Sequence, residues 1–147
     1  MRVLSAARIA GLCLVTVYAC SRATMPNGRW QGTYASNDVM VVARLEIDAR
    51  GNIFLSAPDA ADLGGITDEQ RTALKAKLTE GLQEDWAAVT PRQFDFDGHV
   101  FRNPGGVAPQ LEWDGTRMTA VVYLGMRPAI RIPLHAVPKF SGDPWTG

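Results

Sequence analysis

The stretch "DVMVVARLEIDARGNIFLSA", from Asp38 to Ala57, shows the clearest strand pattern of the chain. Successive side chains of a strand point to opposite faces, so apolar residues at every second position predict a strand with one apolar face. Gly51 can take the positive φ that a tight bend requires, and the apolar face continues beyond it. The residues of that face are Val39, Val41, Ala43, Leu45, Ile47, Ile53 and Leu55. The stretch therefore predicts an antiparallel hairpin.

Two Asp-Gly pairs predict further hairpins, because Asp-Gly favours a two-residue bend. At Asp97-Gly98 this register sets Phe96 opposite His99. At Asp114-Gly115 it sets Glu112 opposite Arg117. Both segments alternate apolar and polar residues around the bend, which is typical of half-buried strands.

The first and last strands of the predicted domain also show alternation. Trp30, Gly32 and Tyr34 share one face near its start. The segment 127–137 alternates Ile130, Ile132 and Leu134 with Arg131, Pro133 and His135. Proline has no N–H to donate to a ladder, so Pro133 predicts an edge strand or a bulge.

One helix interrupts the strands. Thr67 and Gln70 form a capping box, in which each side chain accepts a backbone N–H of the other residue. The four-residue spacing of Leu74, Leu78, Leu82 and Trp86 predicts an amphipathic helix over about residues 68–89. Gly81 weakens this helix or permits its close approach to a sheet.

These elements predict an α+β fold. Short links between about seven to eight strands favour antiparallel pairing. We expect a curved antiparallel sheet or partial β-barrel, with the single amphipathic helix inserted mid-chain and packed across one face or open end. Residues 30–147 form one domain in this interpretation.

The N-terminus has the pattern of an export signal. Arg2 and Arg8 accompany the apolar run "IAGLCLVTVYA", Ile9 to Ala19, which is too short for the roughly 20 residues that cross a bilayer. Small residues at its exit predict cleavage after Ala19. Residues 1–19 are then a signal peptide, and the polar residues 20–29 are a flexible tether.

The sequence Val17-Tyr18-Ala19-Cys20 resembles the end of a bacterial lipoprotein signal, although Tyr18 departs from that pattern. The resemblance implies lipidation of Cys20 and a membrane anchor on the periplasmic side of the cell envelope, in the outer membrane by analogy with such proteins. Cys13 leaves with the signal, so Cys20 has no intramolecular disulfide partner. The alternative is a soluble periplasmic or secreted protein with a free Cys20.

Gly28-Arg29-Trp30 is similar to the Gly-x-Trp opening of lipocalins. That family is an eight-stranded barrel that holds an apolar ligand, and some bacterial members are outer-membrane lipoproteins. The mid-chain helix departs from the family, whose helix follows the barrel strands. The resemblance assigns no binding residue in this chain.

Charge and motif content exclude several functions. The full chain has 15 basic and 15 acidic residues, and loss of Arg2 and Arg8 leaves the acidic residues in excess by two. The chain therefore has no basic excess for nucleic-acid binding. It has no Gly-x-Ser-x-Gly elbow and no phosphate loop. Asp95, Asp97 and His99 are better interpreted as a solvated turn than as metal ligands. No metal or other cofactor is predicted.

The best candidate ligand site is a polar sheet face. Arg131 and His135 share one face of the last strand, and Arg117, Thr119 and Tyr123 share the polar face of its neighbour. Together they predict a cationic, hydrogen-bonding patch for an anionic group if that face lines a concavity.

We therefore expect a cell-envelope lipoprotein that acts as a small non-enzymatic binding or interaction module, with a protein partner or a small ligand. One alternative is an immunity or inhibitor protein against an envelope toxin or hydrolase. Another is a small periplasmic enzyme with its site at the face of Arg131 and His135. A deep polar pocket there favours the enzyme, and an exposed convex face argues against it.

Overall fold

The computed structural model describes residues 24–58, 61–62, 64–105, 110–123, 125 and 129–146. Eight strands form one antiparallel row in the order β3-β2-β1-β9-β8-β7-β6-β5, and the short β4 pairs with β2 beside β3. The elements are β1 (Gly28–Ala35), β2 (Val39–Ile47), β3 (Ile53–Ser56), β4 (Ala61–Asp62), α1 (Asp68–Ala87), β5 (Asp95–Phe96), β6 (Val100–Arg102), β7 (Gln110–Trp113), β8 (Met118–Val122) and β9 (Ile130–Val137). The predicted α+β fold with a partial barrel is confirmed.

The sheet curls into a half-barrel. Trp30 on β1 and Trp113 on β7 meet with ring centroids 6.2 Å apart, although β9 and β8 lie between their strands. A flat sheet would hold those strands about 14 Å apart, so the sheet bends toward this face. The backbone N–H of Arg92, just before β5, also donates to the Ile53 carbonyl of β3 at 2.7 Å. That bond brings the two ends of the row together.

The concave face forms the main core. It holds the alternating apolar residues of β2, including Val41 and Leu45, as the sequence predicted. Phe101, Leu111 and Ile132 from the other half of the sheet are completely buried beside them. The side chains of this face that have no exposed surface pack against other protein atoms.

The helix covers the opposite, outer face of β2. Met40 and Val42 point to that face and form a second cluster with Leu78 and Leu82. The predicted capping box is present, with Thr67 Oγ1 accepting the Gln70 N–H at 3.2 Å. The helix ends at Ala87, two residues before the predicted end. A Cβ added at Gly81 would meet only Pro58, at 3.9 Å, so no close approach requires this glycine.

The β2–β3 hairpin has the predicted facing pairs, with Ile47 opposite Ile53. The registers predicted for the two Asp-Gly hairpins are wrong. Phe96 lies opposite Phe101 rather than His99, and Glu112 lies opposite Thr119. Each bend therefore starts one residue later than predicted, at the glycine.

Backbone angles explain the shift. A type I′ bend over Asp-Gly needs a positive φ at both residues, whereas type II′ needs one only at its first residue. Gly98 and Gly115 have φ of 105° and 98°, and no described non-glycine residue has a positive φ. The aspartates instead stand before the bends. The Asp97 carboxylate accepts the N–H groups of His99 and Val100. In the other hairpin, the Asp114 carboxylate likewise accepts the N–H groups of the residues two and three positions after it.

The predicted edge position of the last strand is wrong. β9 lies between β1 and β8 in the middle of the row. Pro133 faces Thr119 of β8, whereas the pairing with β1 covers only residues 135–137. Pro133, which has no N–H to donate, therefore lies outside the residues of β9 that pair with β1. Gly32 permits the backbones to touch there, because a Cβ on it would lie 2.2 Å from the Pro133 carbonyl oxygen.

Candidate functional site

The predicted ligand patch lies on the outer face of the sheet and is only partly assembled. Arg131 and Arg117 line a shallow depression of about 360 Å³, together with Glu112 and Thr119. Arg131 makes a two-pronged ion pair with Glu112, one contact being 3.1 Å long. That hydrogen bond and the carboxylate charge raise the pKa of Arg131. Glu112 thus compensates the charge that was expected to attract an anion.

The other two predicted residues lie at the margins of this patch. Tyr123 is 53% exposed and close enough to Arg131 to interact with its charge. His135 is exposed on the same outer face but lies toward β1, opposite Gln31 and outside the depression. The structure therefore groups Arg131 with Arg117 in one depression and leaves Tyr123 and His135 outside it, on an exposed face. This exposure does not favour the enzyme alternative.

A second polar arrangement lies under the outer layer and was not predicted. Gln31, Arg44 and Ser56 are only 8%, 6% and 5% exposed. They face one another across three neighbouring strands, since Arg44 pairs with Gln31 of β1 and with Ser56 of β3. His135 extends this cross-strand row to the surface through its pairing with Gln31.

The C-terminal segment 138–146 lies over the row. Arg44 Nη2 donates to the Ser141 carbonyl at 2.8 Å, and Arg44 Nε donates to Gln31 Oε1 at 3.3 Å. Gln31 Nε2 donates in turn to Ser141 Oγ at 2.9 Å. The Arg44 guanidinium lies 5.1 Å from the centroid of the Phe140 ring, within cation–π range. These contacts fix the guanidinium in one orientation.

Among the described residues, Arg44 is a buried cation with no carboxylate partner. Burial lowers the pKa of Arg44, but a guanidinium keeps its charge at neutral pH. Within the described residues its partners are a carbonyl, an amide and a ring, and the nearby Glu46 is engaged by Arg29 at 3.1 and 3.2 Å. Buried charges in proteins are generally paired, so Arg44 is a site where an anion would gain energy.

Arg44 opens onto a wide, shallow cleft of about 560 Å³ between the sheet, the end of the helix and the C-terminal segment. Three cationic side chains and one carboxylate line it. Trp86 and Phe140 form part of the wall, with ring centroids 4.8 Å apart in an edge-to-face contact. We call this the cationic cleft; its residues are Arg29, Arg44, Glu46, Gln83, Trp86, Lys139, Phe140, Ser141 and Gly142.

A sequence signal for this site exists in β2. Met40 and Val42 make the second face of this strand apolar near its start, which indicates that a further layer covers that face. Arg44 follows on the same face, so it is expected to be buried as well. The position of the C-terminal segment has no comparable signal.

Other chemistry is limited in the described part of the chain. Ser56 Oγ is buried without a hydrogen-bond partner, and Asp85 and Arg92 line the shallow pocket beside it. No group of three or more His, Cys, Asp or Glu side chains there is arranged to hold a metal ion. The predicted lipidation residue Cys20 lies outside the described residues. Among the described helices, none has the length and apolarity to cross a membrane.

Comparison of the chain with protein families, with curated proteins and with solved structures finds no match. The candidate sites therefore rest on the geometry and the sequence alone.

Proposed function

We propose that the protein is a lipid-anchored binding module of the cell envelope, attached through Cys20 and without catalytic activity of its own. Its ligand or partner is held on the outer face of the half-barrel. The observation that carries the binding role is the buried Arg44 in the cationic cleft, which makes no ion pair within the described part of the chain. An uncompensated buried charge costs folding free energy, and a bound anion would offset that cost.

The outer face supports binding better than the barrel interior. The completely buried side chains of the concave face, such as Leu45 and Phe101, leave no room beside them for a ligand of the lipocalin kind. The outer face instead holds the cationic cleft and the depression at Arg131. Both have charged groups that select a ligand by its chemistry rather than by size alone.

The N-terminus supports the anchor. The charged lead, the apolar run and Cys20 follow one another in the order that export and acylation require. Met25 packs against the barrel core five residues after Cys20. An extended chain of that length spans about 17 Å, so acyl chains on Cys20 would hold the barrel close to the membrane surface. Two or more acyl chains give firm attachment.

Metabolic labelling with radioactive palmitate in a bacterial host tests the anchor. We expect label in the full-length protein and in a Cys13→Ala variant, which keeps the acceptor residue. Cys20→Ala is expected to lose the label, and globomycin, which blocks lipoprotein signal cleavage, is expected to retain the longer precursor. Equal labelling of the Cys20→Ala variant, or none in the unaltered protein, would show that the anchor is absent.

A further inference from the structure

We propose that the cationic cleft is a phosphate-binding site. The assignment of the cleft to phosphate rests on its own charges and contacts. The source of that phosphate, a lipid headgroup or a free phosphate ion, rests in addition on the proposed anchor.

The charge of the cleft fits a phosphate. Arg29 and Glu46 compensate each other through two contacts, so Arg44 and Lys139 supply the remaining positive charge. Within the described residues Lys139 makes no ion pair. Two uncompensated cations match the charge of about −1.5 to −2 that a phosphate monoester carries at neutral pH better than the single charge of a carboxylate.

The contacts of the Arg44 guanidinium fix its orientation before a ligand binds. Its Nη2 and Nε groups already donate hydrogen bonds to Ser141 and Gln31. Its Nη1 group donates to no acceptor among the described residues. The small exposed part of Arg44 lies at the cleft. The Phe140 ring next to it excludes water on one side, which strengthens its attraction for an anion. Little side-chain freedom therefore remains to be lost on binding.

The cleft lies at the end of the barrel where β1 begins, a few residues along the sequence from Cys20. Gly28, the first residue of β1, pairs with Ile47 at the end of β2, and Arg29 pairs with Val137 at the end of β9. Glu46 and Lys139 belong to the same end of the sheet. A domain anchored through Cys20 therefore carries its cationic cleft close to the phosphates of the membrane surface.

Protection of Lys139 from amine acetylation measures binding. The full-length protein in detergent is treated with an N-hydroxysuccinimide ester, and modification of Lys139 and Lys77 is followed by mass spectrometry. Lys77 is exposed on the helix outside the cleft and is the internal control. At constant ionic strength we expect saturating inorganic phosphate to slow acetylation of Lys139 at least fivefold and to leave Lys77 unchanged. Acetate is expected to protect less.

Two variants change the charge of the cleft in opposite directions. Arg44→Gln keeps a donor near Ser141 but removes the charge, so we expect it to abolish protection. Glu46→Gln removes the carboxylate of the cleft and with it the repulsion between that carboxylate and a bound phosphate. Two unit charges about 4 Å apart in water interact by about 1 kcal/mol, so we expect phosphate to bind about fivefold more tightly. This variant tests the proposal even if Arg44→Gln fails to fold. Glu84→Gln, on the exposed helix surface outside the cleft, is the matched control and should change nothing.

Vesicles distinguish the two sources. The anchored protein is compared in vesicles of phosphatidylcholine alone and in vesicles containing one quarter phosphatidic acid, whose headgroup is a phosphate monoester without a compensating cation. Protection in the second vesicle without added phosphate supports a lipid headgroup, and protection only by inorganic phosphate supports the free ion. Absence of protection in both, equal protection of Lys77, or equal protection by acetate overturns the phosphate site. The phosphate titration in detergent does not depend on a lipid anchor. It therefore still tests the phosphate site if palmitate labelling shows that the anchor is absent.

Discussion

Replacement of Gly32 by alanine tests the junction on which the half-barrel depends. The new Cβ would lie 2.2 Å from the Pro133 carbonyl oxygen and 2.9 Å from Leu134 Cδ2. Non-bonded carbon contacts prefer about 3.5 Å, so β1 and β9 would have to separate by roughly 1 Å. This separation would weaken the three residue pairs that join the strands, and each pair lost would cost about 1 kcal/mol of hydrogen bonding. Overpacking would cost about 1–3 kcal/mol more.

We therefore expect Gly32→Ala to lower the free energy of unfolding by about 4–6 kcal/mol. Urea unfolding followed by tryptophan fluorescence measures this value. Gly81→Ala is the matched control, because its Cβ meets open space apart from Pro58 and alanine favours a helix. It should raise the free energy of unfolding by about 0.5–1 kcal/mol. A loss below about 1 kcal/mol for Gly32→Ala would refute the close β1–β9 contact.

Three further substitutions test other parts of the fold. Leu82→Ala removes a completely buried side chain between helix and sheet and should cost about 2–5 kcal/mol in urea unfolding; a smaller cost would contradict the helix docking. Thr67→Ala should cost about 1 kcal/mol, whereas Thr72→Ala on the exposed helix surface should cost less; equal costs would argue against the capping box. Asp97 has its pKa lowered by the Arg102 guanidinium and by two backbone N–H groups, so its stabilising contribution is present above the ordinary pKa near 3.8 and is lost as the pH falls. The melting temperature of Asp97→Asn should therefore lie below that of the unaltered protein at pH 7 and approach it near pH 2, and a gap that stays constant with pH would be inconsistent with this.

Local patterns predicted most elements of the fold. Alternation placed Val41 and Leu45 on the concave face, and the capping box placed the start of the helix. The bends of the Asp-Gly hairpins were misplaced because the aspartate carboxylates satisfy backbone N–H groups before the bend. The position of β9 was missed because its pairing with β1 joins the first and last strands of the domain. No local pattern reports that contact.

The candidate site was less accessible to sequence reasoning. Arg131 and Arg117 were found from their positions on neighbouring strands, but the ion pair with Glu112 depends on the hairpin register that was wrong. The cationic cleft depends on the C-terminal segment, where Phe140 and Ser141 contact Arg44. That segment is rich in turn residues, and nothing in its pattern specifies the surface on which it packs.

The intact mass of the protein isolated from bacterial membranes tests whether a lipidated Cys20 is the first residue of the mature chain. We expect a chain that starts at Cys20 and carries the added mass of acyl chains on that residue. A soluble protein that retains Met1 and has an unmodified Cys20 would contradict this expectation.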